Sequence, residues 1–144
     1  DNGHFFRAVF TNANGVAYSR PAVLEVNPAP MITMNPGNAV ICANSNASFT
    51  VGAAGSALSY QWQVSSGFGY SNVLNGAPYS GATMPTLTIT NGTAALDGNL
   101  YRCIVAAAGC GPTVSSSGAV LSVDGVLPFV YAPAAIAVAQ SVCQ

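Results

Sequence analysis

The residues of this chain that could do chemistry are few, and their spacing denies most reactions. The one histidine, His4, stands beside Phe5 and Phe6 with no Cys, Asp or Glu at ligand spacing around it. It therefore offers neither a metal site nor an assisted general base, and reads as an exposed strand residue. Asp97 could act as a base, but Gly98 directly after it makes the pair a turn-former. Asp1, Glu25 and Asp124 are scattered, which denies both the paired carboxylates of glycoside hydrolysis and the clustered oxygens of a calcium site. No Gly-x-Ser-x-Gly elbow exists, and a serine nucleophile would have only His4 to activate it. The stretch "GFGY" at 67–70 lacks the strand-loop-helix setting of a phosphate loop and reads as a turn. A non-catalytic chain with no metal and no cofactor is expected.

Composition narrows the partners. The 144 residues carry three Lys plus Arg and four Asp plus Glu, a net charge of −1. Arg7, Arg20 and Arg102 are too few to neutralise a run of phosphates, so nucleic acid is excluded as a partner. Hydroxyls and amides, rather than charges, keep the surface wet, a composition commoner outside the cell. The longest apolar run, Val126 to Ala139, is too short to span a bilayer and is interrupted by Pro128 and Pro133, so direct membrane insertion is not expected. No basic segment leads into an apolar core at the start, which places any secretion signal outside these residues.

The elements that must position these residues read as strands. In "NASFTVGA", Ala47, Phe49, Val51 and Ala53 share one face. Leu58, Tyr60, Trp62 and Val64 do so in "LSYQWQV", and Leu87 and Ile89 in "PTLTITNG". Tyr101, Cys103 and Val105 follow in "YRCIVAAAG", then Ala119, Leu121 and Val123 in "GAVLSVD". Period-2 alternation bounded by turn residues about every ten positions predicts an all-β protein whose two sheets share a core. Between Ser65 and Met84 the pattern weakens into glycines, which predicts short edge strands and loops. Phe68, Tyr70 and Tyr79 fall there; they fit either a sugar-stacking or inter-domain contact, or simple caps on the edge of the sandwich.

The chain also repeats itself. "NGHFFRAVF" at 2–10 aligns with "DGNLYRCIV" at 97–105, placing Arg7 on Arg102, Phe6 on Tyr101 and Ala8 on Cys103. "AVLEV" at 22–26 aligns with "AVLSV" at 119–123, and "AQSVCQ" up to Gln144 is similar to "NAVICAN" around Cys42. The period is about 95 to 100 residues. Residues 1–27 therefore read as the last two strands, F and G, of a preceding repeat, 30–124 as a complete domain, and 125–144 as a linker and the first strand of a following repeat. "NPAP" and "VLPFVYAP" would be stiff joints.

The complete unit resembles a bacterial immunoglobulin-like domain, a Greek-key β-sandwich repeated in tandem. Trp62 and the ordered set Asp97, Gly98, Tyr101, Cys103 carry the resemblance. It implies that the tryptophan packs across the core and that Tyr101 forms a tyrosine corner, its hydroxyl bonding backbone just upstream. The family's inter-sheet disulfide needs a cysteine where Val51 stands. If Val105 lies opposite Cys110 in a hairpin, Cys103 sits diagonal to Cys110, so Cys103 with Cys110 is the candidate bridge and free buried thiols the alternative. Cys42 and Cys143, equivalent in successive repeats, read as inter-domain partners or free thiols. The wording "YQWQV", "GATMPTLTIT" and "LYRCIV" is similar to the tandem repeats of large Bacteroidota cell-surface proteins, including gliding-motility adhesins of the SprB type and other type IX-secreted proteins. That resemblance implies an extracellular spacer or adhesive stalk whose partners are neighbouring domains of its own chain and surface polysaccharide or other surface proteins. A carbohydrate-binding accessory module of a secreted enzyme, or a filament subunit built by strand complementation, are the alternatives.

Overall fold

The computed structural model describes residues 2–108, 111 and 113–124. Asp1, Cys110, Cys143 and the expected start of a following repeat at 125–144 lie outside them. The chain opens with β1 (Phe5–Phe6), β2 (Val9–Asn12), β3 (Gly15–Tyr18) and β4 (Ala22–Val23). After the "NPAP" segment come β5 (Met31–Met34), β6 (Ala39–Cys42), β7 (Ala47–Thr50), β8 (Gly52–Ala54) and β9 (Leu58–Ser65). Then follow β10 (Ser71–Asn72), β11 (Tyr79–Ser80), β12 (Thr86–Ile89), β13 (Leu100–Ala107), β14 (Val114–Ser115) and β15 (Ala119–Asp124), with a 3-10 turn at Ala94–Leu96 before β13.

Two sheets face each other. One runs β10-β9-β13-β15-β6, with β14 also on β13; the other runs β11-β12-β7, and β5 pairs with β8, which follows β7 after Val51. This is the two-sheet arrangement of an immunoglobulin-like sandwich. β5 and β6 belong to opposite sheets, and the chain crosses between them at Asn35 to Asn38. Pro36 has no N–H for a ladder, so pairing breaks there. The two asparagines replace the lost ladder: Asn35 Oδ1 accepts from Ser117 N and Asn38 Oδ1 from Val120 N, both at 2.9 Å. β6 then joins β15 in parallel.

The expected alternation is observed in β7, β12, β13 and β15; in β9 it holds to Trp62 and then slips, Ser65 being buried and Val64 half-buried. Phe49, Trp62, Leu87, Ile89, Tyr101, Cys103, Val105, Ala119 and Leu121 are essentially inaccessible. Burying an apolar side chain of this size stabilises by roughly 1.5–3 kcal/mol, so these positions carry the fold. Trp62 lies 6.4 Å from Phe49, which stacks on Tyr101 at 4.9 Å between centroids. The Trp62 indole N–H donates to Met84 O at 2.9 Å, so its polar edge is satisfied inside the sandwich. Val73 and Ala82, in the weakly patterned stretch, are equally buried.

The N-terminal hairpin reproduces the register of β13 with β14 and β15, and extends the ladder two pairs further, to Asn12 opposite Gly15. Phe5 pairs with Val23 and Phe6 with Ala22, as Leu100 pairs with Val120 and Tyr101 with Ala119. Val9 pairs with Tyr18 and Phe10 with Ala17, as Ile104 pairs with Ser115 and Val105 with Val114. Both hairpins break at a serine. Ala8 N donates to Ser19 Oγ and Ser19 N to Ala8 O, just as Cys103 N donates to Ser116 Oγ and Ser116 N to Cys103 O, all at 2.9 Å. Exposure separates them: Phe6 is 55% and Phe10 62% exposed, whereas Tyr101 and Val105 are 0%.

Candidate functional site

Asp97 and Gly98 close the turn into β13. Gly98 adopts φ +74, a left-handed conformation that side chains rarely tolerate, and its N–H donates to Leu121 O at 2.9 Å. Asp97 does more than turn the chain: its Oδ1 accepts from Val123 N at 2.8 Å, latching the turn onto β15. Asn2 performs the same task in the N-terminal hairpin, accepting from Val26 N at 2.9 Å.

Tyr101 departs from the expected corner. Its position on β13 turns it fully inward, where its hydroxyl meets the Tyr79 hydroxyl at 3.2 Å. Burial, reinforced by that contact, holds its phenol well above the ordinary tyrosine range.

The expected bridge between Cys103 and Cys110 is not made, because Cys103 is a free, buried thiol. The physical reason is register. Val105 lies opposite Val114 rather than Cys110, so the hairpin is longer than expected and Ser116, not a cysteine, stands beside Cys103. Desolvation pushes the Cys103 thiol up to about 11. Cys110 lies outside the described residues. Cys42 is disulfide-bonded, while Cys143 lies outside the described residues.

The aromatic set divides. Tyr79, half-buried on β11, belongs to the sheet opposite Tyr70 and turns toward the core, so the structure does not bring it to Phe68 and Tyr70. Those two remain together on the short connection from β9 to β10. Alternation that sends Trp62 and Tyr101 inward sends Gln63 and Arg102 outward, with Asn72 across from Gln63. Arg102 Nε donates to Gln63 Oε1 at 2.9 Å, and Gln63 Nε2 donates to Asn72 Oδ1 at 2.8 Å. The Tyr70 ring covers the Arg102 guanidinium, 3.8 Å from Cζ to the ring centroid. Its hydroxyl reaches to Gly118, just before β15, where an added Cβ would stand 2.6 Å away. Phe68 projects beyond this row with 102% exposure, between Gly67 at φ +109 and Gly69 at φ +106. Sequence reasoning found the aromatics but not the amide row, whose members become neighbours only through strand pairing.

Among the described residues no cluster of three or more His, Cys, Asp or Glu could hold a metal, and no helix is long and apolar enough to cross a membrane. His4 and Glu25 are exposed and stand on the N-terminal hairpin. A shallow depression of about 350 Å³ on the β2–β3 hairpin, between Phe10 and Ala17, touches none of the expected site residues.

Known proteins agree with this architecture. Over 107 residues the chain is 36% identical to Endoglucanase C of Cellulomonas fimi, an alignment covering 73% of this chain and 9% of that enzyme. Among solved structures, the N-terminal eight immunoglobulin domains of Down Syndrome Cell Adhesion Molecule align at TM-score 0.66 and 21% identity, over 85% of this chain and 16% of that one. Extracellular domains 3-5 of Drosophila OTK align at TM-score 0.60 and 18% identity, over 82% of this chain and 39% of that one. At such identities these structures speak for the immunoglobulin-like fold alone. The chain spans a small part of each of these relatives. Residues 32–124, which hold both sheets of the sandwich, match the family described as "Domain of unknown function (DUF8696)", and the chain belongs to that family.

Proposed function

We propose that these residues are a stretch of a longer extracellular polypeptide built of tandem immunoglobulin-like modules, and that each module acts without catalysis as a stiff spacer in an adhesive stalk. The observation that carries this reading is the N-terminal hairpin. It repeats the registers and the serine break of β13 to β15, yet leaves exposed the apolar face that its counterpart buries. A second sheet belonging to a preceding repeat would cover that face. Modules joined this way transmit load and set distance, and their effect at a surface grows with number rather than with chemistry. The "NPAP" joint supports stiffness, since Pro30 is buried and its backbone packs so closely on Gly55 that a side chain there would crowd it. The strands "YQWQV", "GATMPTLTIT" and "LYRCIV" support placing that stalk among gliding-motility adhesins.

A second reading, a module within a secreted polysaccharide-degrading enzyme, is favoured by the likeness to Endoglucanase C. In both readings the module is a non-catalytic part of a larger chain. Pulling the native polypeptide by its ends separates them. A tandem stalk gives a series of unfolding steps, each releasing on the order of 300 Å for a repeat of about 95 residues. One or two such steps beside a larger, dissimilar one would favour the enzyme, and no such step at all would overturn both readings.

A further inference from the structure

Phe68 is the one large apolar side chain of the complete module that stands wholly in solvent among the described residues. It lies beside a hydrogen-bonded row of planar groups on the outer face of β10, β9 and β13. The row is donor-rich. Once Arg102 Nε and one Gln63 amide hydrogen are spent inside it, both terminal nitrogens of Arg102 and the Asn72 amide nitrogen still present N–H groups. Phe68 is two residues from Tyr70, so their Cα atoms stand no more than about 7 Å apart. We propose that this face binds an uncharged polysaccharide, with Phe68 stacking on the apolar face of one sugar ring while Arg102, Gln63 and Asn72 hold hydroxyl oxygens of its neighbour.

The chemistry of the surroundings selects this ligand over others. A protein partner would need a contiguous apolar patch, but Phe68 is flanked by the exposed Ser66, Gly67, Gly69 and Ser71. An anionic polymer would need several cations, but Arg102 is alone on this face and already shares its charge with the Tyr70 ring and Gln63. What remains is one flat ring and a fixed comb of donors, which a chain of hydroxylated rings fits. The site belongs to the single module, so it stands or falls independently of the tandem arrangement.

The test is affinity electrophoresis of the 144-residue chain through gels containing hydroxyethylcellulose, xylan or mannan, at low and high salt. Phe68→Ala and Phe68→Trp are run beside it, with circular dichroism showing that each variant is folded. At least one glycan is expected to retard the native chain regardless of salt. Phe68→Ala should lose at least about tenfold in apparent affinity, and Phe68→Trp should retain it to within about threefold. Absence of retardation in all three gels, equal retardation of Phe68→Ala, or retardation abolished by salt would each overturn the proposal. None of these failures would touch the spacer reading.

Discussion

Cys103 shows what a single side chain decides here. It occupies the position where the family's resemblance calls for a bridge, yet it is a packed, protonated thiol whose neighbours are Trp62 across β9 and Ser116 on the opposite edge. Its ordinary value of 9.0 rises to about 11 because the interior penalises the thiolate. In that window the unfolded chain releases a proton that the folded chain keeps, so stability falls as pH rises above about 9. Tyr101, raised still further by burial, acts in the same direction from its own ordinary value of 10.0 upward. The urea midpoint should therefore be lower at pH 10 than at pH 8, with a shallower decline in Cys103→Ala. A midpoint that rises with pH over this interval would contradict the buried-thiol account.

At the scale of elements, the turn latch makes a sharper claim, because the chain contains its own comparison. Asp97 and Asn2 hold the same strand amide through the same oxygen, so the bond needs an acceptor and not a charge. Asp97→Asn should change stability by less than about 0.5 kcal/mol, whereas Asp97→Ala strands the Val123 N–H and should cost about 1–2 kcal/mol, read as a shifted urea midpoint at unchanged slope. Equal losses in both variants would assign the effect to charge. The long strands β7, β9, β12, β13 and β15 were legible in sequence because four or more alternating residues expose a period of two. β10 and β11 were legible only as unplaced short edge strands between Ser65 and Met84, and β14 not at all, since each spans two residues and no periodicity fits in that length. β5 escaped for another reason: the crossing to the opposite sheet is held by asparagine side chains, and "MNPGN" reads as plain loop, while β6 was visible only through the likeness of "NAVICAN" to the end of the chain. The outer amide row was illegible too, because Asn72, Gln63 and Arg102 are far apart in sequence and only register unites them.

At the scale of the whole molecule, one module is closed and one hairpin is open. The sandwich buries the inward face of β13 and β15, while the N-terminal hairpin shows the same face to solvent with Leu24 at 40% and Val26 at 51% exposure. An isolated two-stranded hairpin is marginal in water, so identical hydrogen bonds should have very different lifetimes in the two settings. The internal alignment that first suggested a preceding repeat was legible in the sequence, but the match of register and serine break is a property of the folded backbone. The most direct test is native-state hydrogen exchange on the full natural polypeptide, comparing the Ser19 and Leu24 amides with those of Ser116 and Leu121. The account predicts protection of the two pairs to within about tenfold, because each hairpin is roofed by its own second sheet. Tail amides that exchange as fast as an unfolded chain, beside a protected Ser116 and Leu121, would contradict it.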